Sequence, residues 1–155
     1  MATELTPFEI LLVEDNPSDV EITVRALKKG QVTNPLRVAR DGQEALDILF
    51  GRNNGDAPLP GLILLDLNLP RVDGREVLAK IKAHPKLKRI PVIVLTTSTL
   101  EQDVAHTYDL GANTYITKPV QFEEFISVVS TIRDYWISIA TVPRVRRDQG
   151  DFCDD

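Results

Sequence analysis

The chain has 155 residues, 43% of them hydrophobic and 26% charged, a composition typical of a globular domain and unlike that of a disordered chain. Its 18 Lys and Arg against 23 Asp and Glu give a net charge of −5. This charge argues against a protein that coats nucleic acid, because binding phosphates requires a surplus of cations. We therefore expect one domain and no DNA partner.

Three features of the sequence bear on its compartment. Cys153 is the sole cysteine and has no partner for an internal disulfide, which is typical of a reducing environment. No apolar run approaches the roughly 20 residues that a membrane-spanning helix needs. The first residues lack the basic start and apolar core of a signal peptide. We expect a cytoplasmic protein with no membrane partner.

Short apolar runs recur along the chain, each too short for a helix and each ending in polar residues. They lie at residues 8–13, 36–39, 62–65, 92–95 and 114–116. The first and third contain continuous apolar segments without polar alternation, which is typical of strands buried on both faces. The pattern predicts five strands of a parallel sheet.

Amphipathic stretches with helical spacing separate these runs. Polar residues predict where three helices begin: Asn16 precedes Pro17, and Asp41 and Asp73 each precede a glycine. Gly111 is expected to end the fourth helix, as a glycine just beyond a helix commonly does.

The last predicted helix begins near residue 121 and has more apolar surface than one packed face needs. Its main stripe follows spacings of three and four and should face the sheet; it consists of Phe122, Phe125, Val129, Ile132, Trp136 and Ile139. A second apolar set, Val128, Tyr135 and Ile137, lies off that stripe.

Strands alternating with helices predict an α/β fold in which helices cover both faces of a parallel sheet. We expect the doubly wound, flavodoxin-like arrangement of five strands in the order 2-1-3-4-5, with five helices. Residues 1–7 form an N-terminal arm in this interpretation, residues 8–140 form the domain, and residues 141–155 form a charged tail.

Three carboxylates follow two of the strands. Glu14 and Asp15 come after the first strand, and Asp66 comes after the third. In the expected strand order, the carboxyl ends of strands one and three border the crevice where ligands bind. Carboxylates crowded together stay ionised only beside a cation, and their oxygens suit Mg²⁺.

Two further residues complete a candidate phosphoryl site. Lys118 follows the fifth strand and would supply a positive charge across the crevice. Thr96 ends the fourth strand, and its hydroxyl can donate to an oxyanion. A carboxylate nucleophile, a metal ion and a lysine together can form and stabilise an aspartyl phosphate.

These residues and their order resemble the signature of two-component response regulator receiver domains. The resemblance spans residues 8–139 and rests on Glu14-Asp15, the segments 65–70 and 115–119, Asp73-Gly74 and Thr96-Thr97. Within this family the chain is similar to stand-alone receivers paired with bacterial and cyanobacterial phytochromes. The finer resemblance rests on the loop 51–61, the segments 95–98 and 109–113, and Tyr135-Trp136 followed by Pro143.

The resemblance implies a role for each residue of the site. Asp66 would accept a phosphoryl group from a phosphohistidine of a sensor histidine kinase. Asp15, Asp66 and the backbone carbonyl of Asn68 would hold Mg²⁺, with Glu14 acting directly or through water. Lys118 would contact the phosphoryl group. The chain would be a phosphoacceptor with slow self-dephosphorylation and not an enzyme.

A switch follows from the same site. The Thr96 hydroxyl would move towards the phosphoryl oxygens and vacate space for Tyr115, which would change the surface formed by the last two helices and the fifth strand. We expect this surface, and the second apolar set on the last helix, to support a homodimer. Because little chain remains outside the domain, output should pass through contact with another protein.

Other interpretations are weaker. Haloacid-dehalogenase-like phosphatases and phosphotransferases also form an aspartyl phosphate, but they carry an acidic proton donor two residues after the nucleophile, where this chain has Asn68. His84 and His106 have no partner at metal-ligand spacing, so we expect both to be solvated. A basic cluster is expected to serve solubility; it consists of Lys80, Lys82, Lys86, Lys88 and Arg89.

Overall fold

The structure, a computed structural model, describes residues 8–51, 59–96, 109, 111, 114–117 and 122–134. For four strand residues, Thr96, Thr114, Tyr115 and Thr117, only the backbone is described. The predicted arm 1–7 and tail 141–155 lie outside the described residues, as does most of the predicted helix between the fourth and fifth strands.

A parallel sheet forms the centre of the molecule. Its strands are β1 (Ile10–Val13), β2 (Leu36–Ala39), β3 (Leu62–Leu65), β4 (Val92–Thr96) and β5 (Thr114–Thr117), in the order β2-β1-β3-β4-β5. The prediction of a parallel α/β fold is confirmed, and the observed order is the predicted one. Val13, Leu65, Val94 and Tyr115 lie in register across β1, β3, β4 and β5.

Helices connect the strands. Those within the described residues are α1 (Pro17–Lys29), α2 (Gly42–Leu49), α3 (Gly74–Ala83), a 3₁₀ helix (Leu87–Arg89) and α4 (Phe122–Ile132). Four of the five predicted helices are therefore described. Gly111 has a φ of 105°, a left-handed conformation that favours glycine.

Side chains cap three of these helices as predicted. Asn16 accepts hydrogen bonds from the backbone amides of Ser18 and Asp19 at the start of α1. At α2 and α3, the side chains of Asp41 and Asp73 each accept a bond from a backbone amide in the first turn. Because such caps satisfy amides that have no partner within the helix, they fix where each helix begins.

The sheet separates two apolar clusters. Leu11 and Val13 of β1 point into the cluster shared with α2 and α3. Ile10 and Leu12 point to the opposite side, into the cluster shared with α1 and α4. Because both faces of the central strands are covered, the continuous apolar runs seen in the sequence are what this sheet requires.

The apolar run at residues 8–13 is longer than the strand that it contains. The strand begins at Ile10, whose amide donates to the Pro35 carbonyl at 2.8 Å. The Phe8 carbonyl instead accepts a hydrogen bond from the side-chain amide of Asn34 at 3.0 Å. The Phe8 ring packs beside Gly61, where a β-carbon would lie within 2.5 Å of the ring.

The prediction that His84 is solvated is wrong. Only 5% of this side chain is exposed. Its Nδ1 accepts hydrogen bonds from the backbone amides of Lys86 and Leu87 at 3.1 and 3.3 Å, and its ring lies edge-on to Phe50 with the centroids 5.5 Å apart. The imidazole thus stabilises the turn after α3. Pro85 disfavours the helical conformation of the residue before it, so the helix ends there. His106 lies outside the described residues.

Lys82 departs from the expected solubilising role of the basic cluster. Its Nζ donates hydrogen bonds to the carbonyls of Lys88 and Ile90, at 3.1 and 2.9 Å. Burial lowers the pKa of this ammonium group, because desolvation disfavours the charged form. The residue ties the end of α3 to the 3₁₀ helix and to the start of β4.

Among the described residues, no helix combines the length and the apolar character that crossing a membrane would require.

Candidate functional site

Glu14, Asp15 and Asp66 meet at the carboxyl edge of β1 and β3. Each offers a carboxylate oxygen, and the three oxygens lie within 4.8 Å of one another. Backbone bonds that continue the sheet place two of them: the Glu14 amide donates to Ala39 at 2.9 Å, and the Asp66 amide donates to Val13 at 3.1 Å. The cluster is therefore fixed by the sheet itself.

The three carboxylates differ in exposure. Glu14 is 2% exposed and Asp66 is 8% exposed, whereas Asp15 faces solvent. A Glu14 oxygen accepts a hydrogen bond from the amide of Asn16 at 3.3 Å, which joins the cluster to the residue that caps α1. An Asp66 oxygen accepts one from the amide of Asn68, also at 3.3 Å.

The loop after β3 is held close against the start of α3. The Gly74 amide donates to the Leu67 carbonyl at 2.9 Å. A β-carbon on Gly74 would collide with the Asp66 carbonyl and would lie 2.6 Å from the Cα of Leu67. Sequence reasoning identified this glycine as part of a turn but did not reveal the backbone contact that requires it.

The same loop contains a strained residue that sequence reasoning missed. Arg71 has a φ of 70°, which is unfavourable for a residue with a β-carbon. A bond from the Val72 amide to the Pro70 carbonyl, at 2.8 Å, closes a tight turn around it. The Arg71 guanidinium lies 3.7 Å from Asp41, which caps α2. No local signal in the sequence marks Arg71 as left-handed.

Other predicted site residues are described only in part. The backbone of Thr96 ends β4 and lies in register with Thr117, at the same edge of the sheet as the carboxylates. Tyr115 lies within β5. Lys118 comes directly after Thr117 and lies outside the described residues.

The donor set fits a divalent cation that prefers oxygen. Three carboxylates within 4.8 Å repel one another, and two of them are buried, so a bound cation would stabilise their charged forms. Carboxylate oxygens are preferred by Mg²⁺ and Mn²⁺. The described part of the cluster contains neither a thiol nor an imidazole, the ligands that zinc usually takes.

Comparison with known proteins gives consistent matches. The pattern of the response regulator receiver domain matches residues 10–130. Response regulator Rcp1 from Synechocystis sp. is 45% identical over 138 residues, which cover 88% of this chain and 94% of Rcp1.

Two solved structures are also similar. The phosphorylated cyanobacterial phytochrome response regulator RcpA is 48% identical with a TM-score of 0.81, covering 88% of this chain and 99% of RcpA. The Mn²⁺-bound form of Rcp1 is 45% identical with a TM-score of 0.79, covering 88% of this chain and 99% of that one.

Proposed function

This chain belongs to the response regulator receiver domain family, and we propose that it accepts a phosphoryl group on Asp66 from a sensor histidine kinase. One observation carries the proposal: the sheet gathers Glu14, Asp15 and Asp66 at one edge, with Asp66 buried among them. The relative RcpA has been solved in a phosphorylated form. We propose the same domain limits as above, with residues 8–140 as the receiver.

The proposed reaction transfers a phosphoryl group between two side chains. An Asp66 carboxylate oxygen attacks the phosphorus of the kinase's phosphohistidine, the new O–P bond forms, and the N–P bond to the imidazole breaks. The product is an aspartyl phosphate, and the histidine leaves with its nitrogen lone pair restored. The Lys118 ammonium would contact the phosphoryl oxygens and offset their charge. Hydrolysis of the aspartyl phosphate by water would be slow, so the chain would act as a phosphoacceptor and not as a turnover enzyme.

Receiver domains bind a divalent metal ion, and we propose Mg²⁺ for this one. Asp15 and Asp66 would hold the ion together with the backbone carbonyl of Asn68, and Glu14 would do so directly or through water. The bound ion would supply positive charge beside the phosphoryl oxygens. A relative, Rcp1, has been solved in a Mn²⁺-bound form, which is consistent with a metal of this class.

We propose that phosphorylation acts through Thr96 and Tyr115. The phosphoryl oxygens offer the Thr96 hydroxyl a charged acceptor, and movement of that hydroxyl would vacate space for the Tyr115 ring. The register supports this route, because Val13, Leu65, Val94 and Tyr115 form one row from the acidic cluster to β5. The affected surface includes β5 and α4.

The proposed partners follow from the relatives and from the last helix. RcpA is a phytochrome response regulator by name, so we propose a kinase of the phytochrome class. We also propose a homodimer through α4 and the residues after it. Of the second apolar set, Val128 is half-buried against the core, whereas Tyr135 and Ile137 lie outside the described residues.

Acetyl phosphate tests the phosphoacceptor proposal. With Mg²⁺, one phosphoryl group per chain should be incorporated on Asp66, and the Asp66→Asn variant should incorporate none. Asp73→Asn is the matched control, because this carboxylate caps α3 and lies outside the acidic cluster. Repeated turnover of phosphate monoesters would instead favour the haloacid-dehalogenase-type enzyme.

Thr96→Ala tests the switch separately. The variant should still be phosphorylated on Asp66, but phosphorylation should no longer change the surface around β5, which self-association or amide chemical shifts would report. Equal changes in the variant and the wild type would contradict the proposed role of Thr96.

A further inference from the structure

A groove of about 550 Å³ runs between α2 and α3, on the face of the sheet opposite α1 and α4. Gln43 and Leu46 of α2 line it, together with Phe50, which follows the end of that helix. The contribution of α3 comes from residues that share one helix face, Glu76, Lys80, Ala83 and His84. The groove contains none of the three carboxylates of the acidic cluster and is separate from the phosphoryl site.

The floor of the groove is apolar. Leu46 is buried within it. Among the described residues, Phe50 and Val72 are the hydrophobic side chains that pack against the core on this face of the sheet while remaining partly exposed, and both line the groove. Apolar surface that is gathered in a groove, and not scattered over the molecule, is typical of a contact site. A ligand with an apolar side chain would gain by covering it.

One end of the groove is basic. Residues 80–89 contain all five cations of the basic cluster and no acidic residue, in a chain whose net charge is −5. Lys80 lines the groove, and the Lys88 amide donates to the His84 carbonyl at 3.0 Å, which places the 3₁₀ helix at the end of the groove. The side chains of Lys80, Lys88 and Arg89 are exposed. This end of the groove would attract an acidic ligand.

The backbone that carries these cations is held in place by side chains from α3 and the turn after it. The Lys82 Nζ donates to the carbonyls of Lys88 and Ile90, and the His84 Nδ1 accepts hydrogen bonds from two backbone amides of the turn. A surface whose backbone is already ordered loses less conformational entropy when a partner binds. The basic end of the groove is therefore preorganised for binding.

We propose that this groove binds an acidic segment of a partner protein, which places one aromatic or large aliphatic side chain between α2 and α3. That side chain covers the exposed parts of Phe50 and Val72, while the carboxylates of the segment lie against Lys80 and the 3₁₀ helix. A nucleic acid fits this groove less well, because Glu76 lines it too and the net charge of the chain repels a long polyanion. The groove is also distinct from β5 and α4, which the proposed dimer uses.

A display library of random peptides, selected on the wild-type protein, tests the proposal. Peptides that bind in the groove are identified by Ala83→Gln, because Ala83 is exposed and lines the groove, and the longer side chain blocks it without adding charge. These peptides should contain more Asp and Glu than Lys and Arg, and each should carry Phe, Trp or Leu. Lys80→Glu should weaken their affinity about tenfold, because repulsion replaces attraction. Lys29→Glu is the matched control: Lys29 is exposed at the end of α1 and does not line the groove, so the affinity should stay unchanged.

A selection that yields no peptide whose binding is lost in Ala83→Gln would overturn the proposal, as would groove-binding peptides with a surplus of Lys and Arg. The same holds if Lys80→Glu weakens binding no more than Lys29→Glu does, because the basic end of the groove would then take no part. If Ala83→Gln instead converts a self-associated wild type to monomer in sedimentation, the groove is occupied by a second copy of the chain and the proposal fails.

Discussion

Lys82 joins three parts of the fold through one side chain. Its Nζ is bound to the carbonyls of Lys88 and Ile90, and its aliphatic part lies under Gly111, where a β-carbon would come within 2.9 Å of the Lys82 Cγ. The side chain thus links α3, the start of β4 and the turn that precedes β5. A residue that looks like a surface charge in the sequence is part of the packing.

Replacing Lys82 with methionine should destabilise the protein. The methionine keeps most of the aliphatic packing but removes both hydrogen bonds, and bonds to a charged donor contribute about 1.5–3 kcal/mol. We expect the free energy of unfolding in urea to fall by about the contribution of one such bond, because removing the buried charge also removes its desolvation cost and so offsets part of the loss of the two bonds. Lys80→Met is the control, since Lys80 is exposed and its ion pair with Glu76 is long, at 4.0 Å. Equal stability of the two variants would show that the two carbonyl contacts contribute little.

The same residue should make stability depend on pH. Burial lowers the pKa of Lys82 in the folded protein below its ordinary value of 10.5. Between the lowered pKa and 10.5, the unfolded chain binds more protons here than the folded chain, so the free energy of unfolding should rise with pH in that window. Below the folded-state pKa both states are protonated, and the cost of burying the charge is constant.

Unfolding in urea at a series of pH values measures this effect. The free energy of unfolding of the wild type relative to Lys82→Met should increase as the pH is raised from neutral towards 10.5. The comparison with the variant removes contributions from every other group. A difference that stays level or falls over this range would contradict a lowered pKa.

At the scale of elements, α3 lies in close contact with the loop after β3, which carries Asp66, the proposed phosphoacceptor. Gly74 begins α3, and its missing side chain is what allows the helix to rest on the backbone of Asp66 and Leu67. The N-cap Asp73 fixes where the helix starts. Helix position and site geometry are therefore coupled at one residue.

Gly74→Ala should weaken both folding and metal binding. The added β-carbon forces α3 away from the loop, and such overpacking costs about 1–3 kcal/mol, more than the roughly 1 kcal/mol that alanine gains over glycine in a helix. Urea unfolding and Mn²⁺ titration should both register the change. Glu76→Ala, at an exposed site in the same turn, should change neither the stability nor the Mn²⁺ affinity. If Gly74→Ala binds Mn²⁺ with normal affinity, the loop accommodates the added β-carbon without disturbing the acidic cluster.

The elements that the sequence predicts well are those set by neighbouring residues. Asn16, Asp41 and Asp73 cap helices because each acts on amides two or three residues away. The continuous apolar runs also predicted the strands, although Phe8 does not belong to the first one. The acidic cluster could be placed because the strand order brings the ends of β1 and β3 together.

What the sequence did not predict depends on distant contacts. His84 and Lys82 look solvated in the sequence, and only the folded turn after α3 supplies the amides and carbonyls that they bind. The left-handed Arg71 owes its conformation to a turn packed on the start of α2, where Gly42 lies against Val72. Burial and backbone contacts between separate elements produce no repeating pattern in the sequence, so the sequence does not predict them.

At the scale of the whole molecule, the acidic cluster and the proposed association surface lie on different strands of one sheet. The cluster follows β1 and β3, whereas β5 is the edge strand two places beyond β3. Apolar clusters cover both faces of the sheet, and the row from Val13 to Tyr115 crosses it from the cluster to β5, so we expect a change at the site to pass across the strands. The affinity of a dimer formed through β5 and α4 would therefore depend on whether Asp66 is phosphorylated.

Ile137→Arg tests the dimer at this scale. A charge in an apolar interface has to be desolvated, so the variant should shift the protein towards monomer. Sedimentation at tens of micromolar, roughly the range in which weak association is detected, should show the wild type self-associating and the variant less so. Ile22→Arg adds the same charge at an exposed site on α1 and should sediment as the wild type.

The proposed dimer is excluded if the wild type is monomeric both with and without a phosphoryl mimic. If association survives Ile137→Arg, the interface lies elsewhere on the molecule.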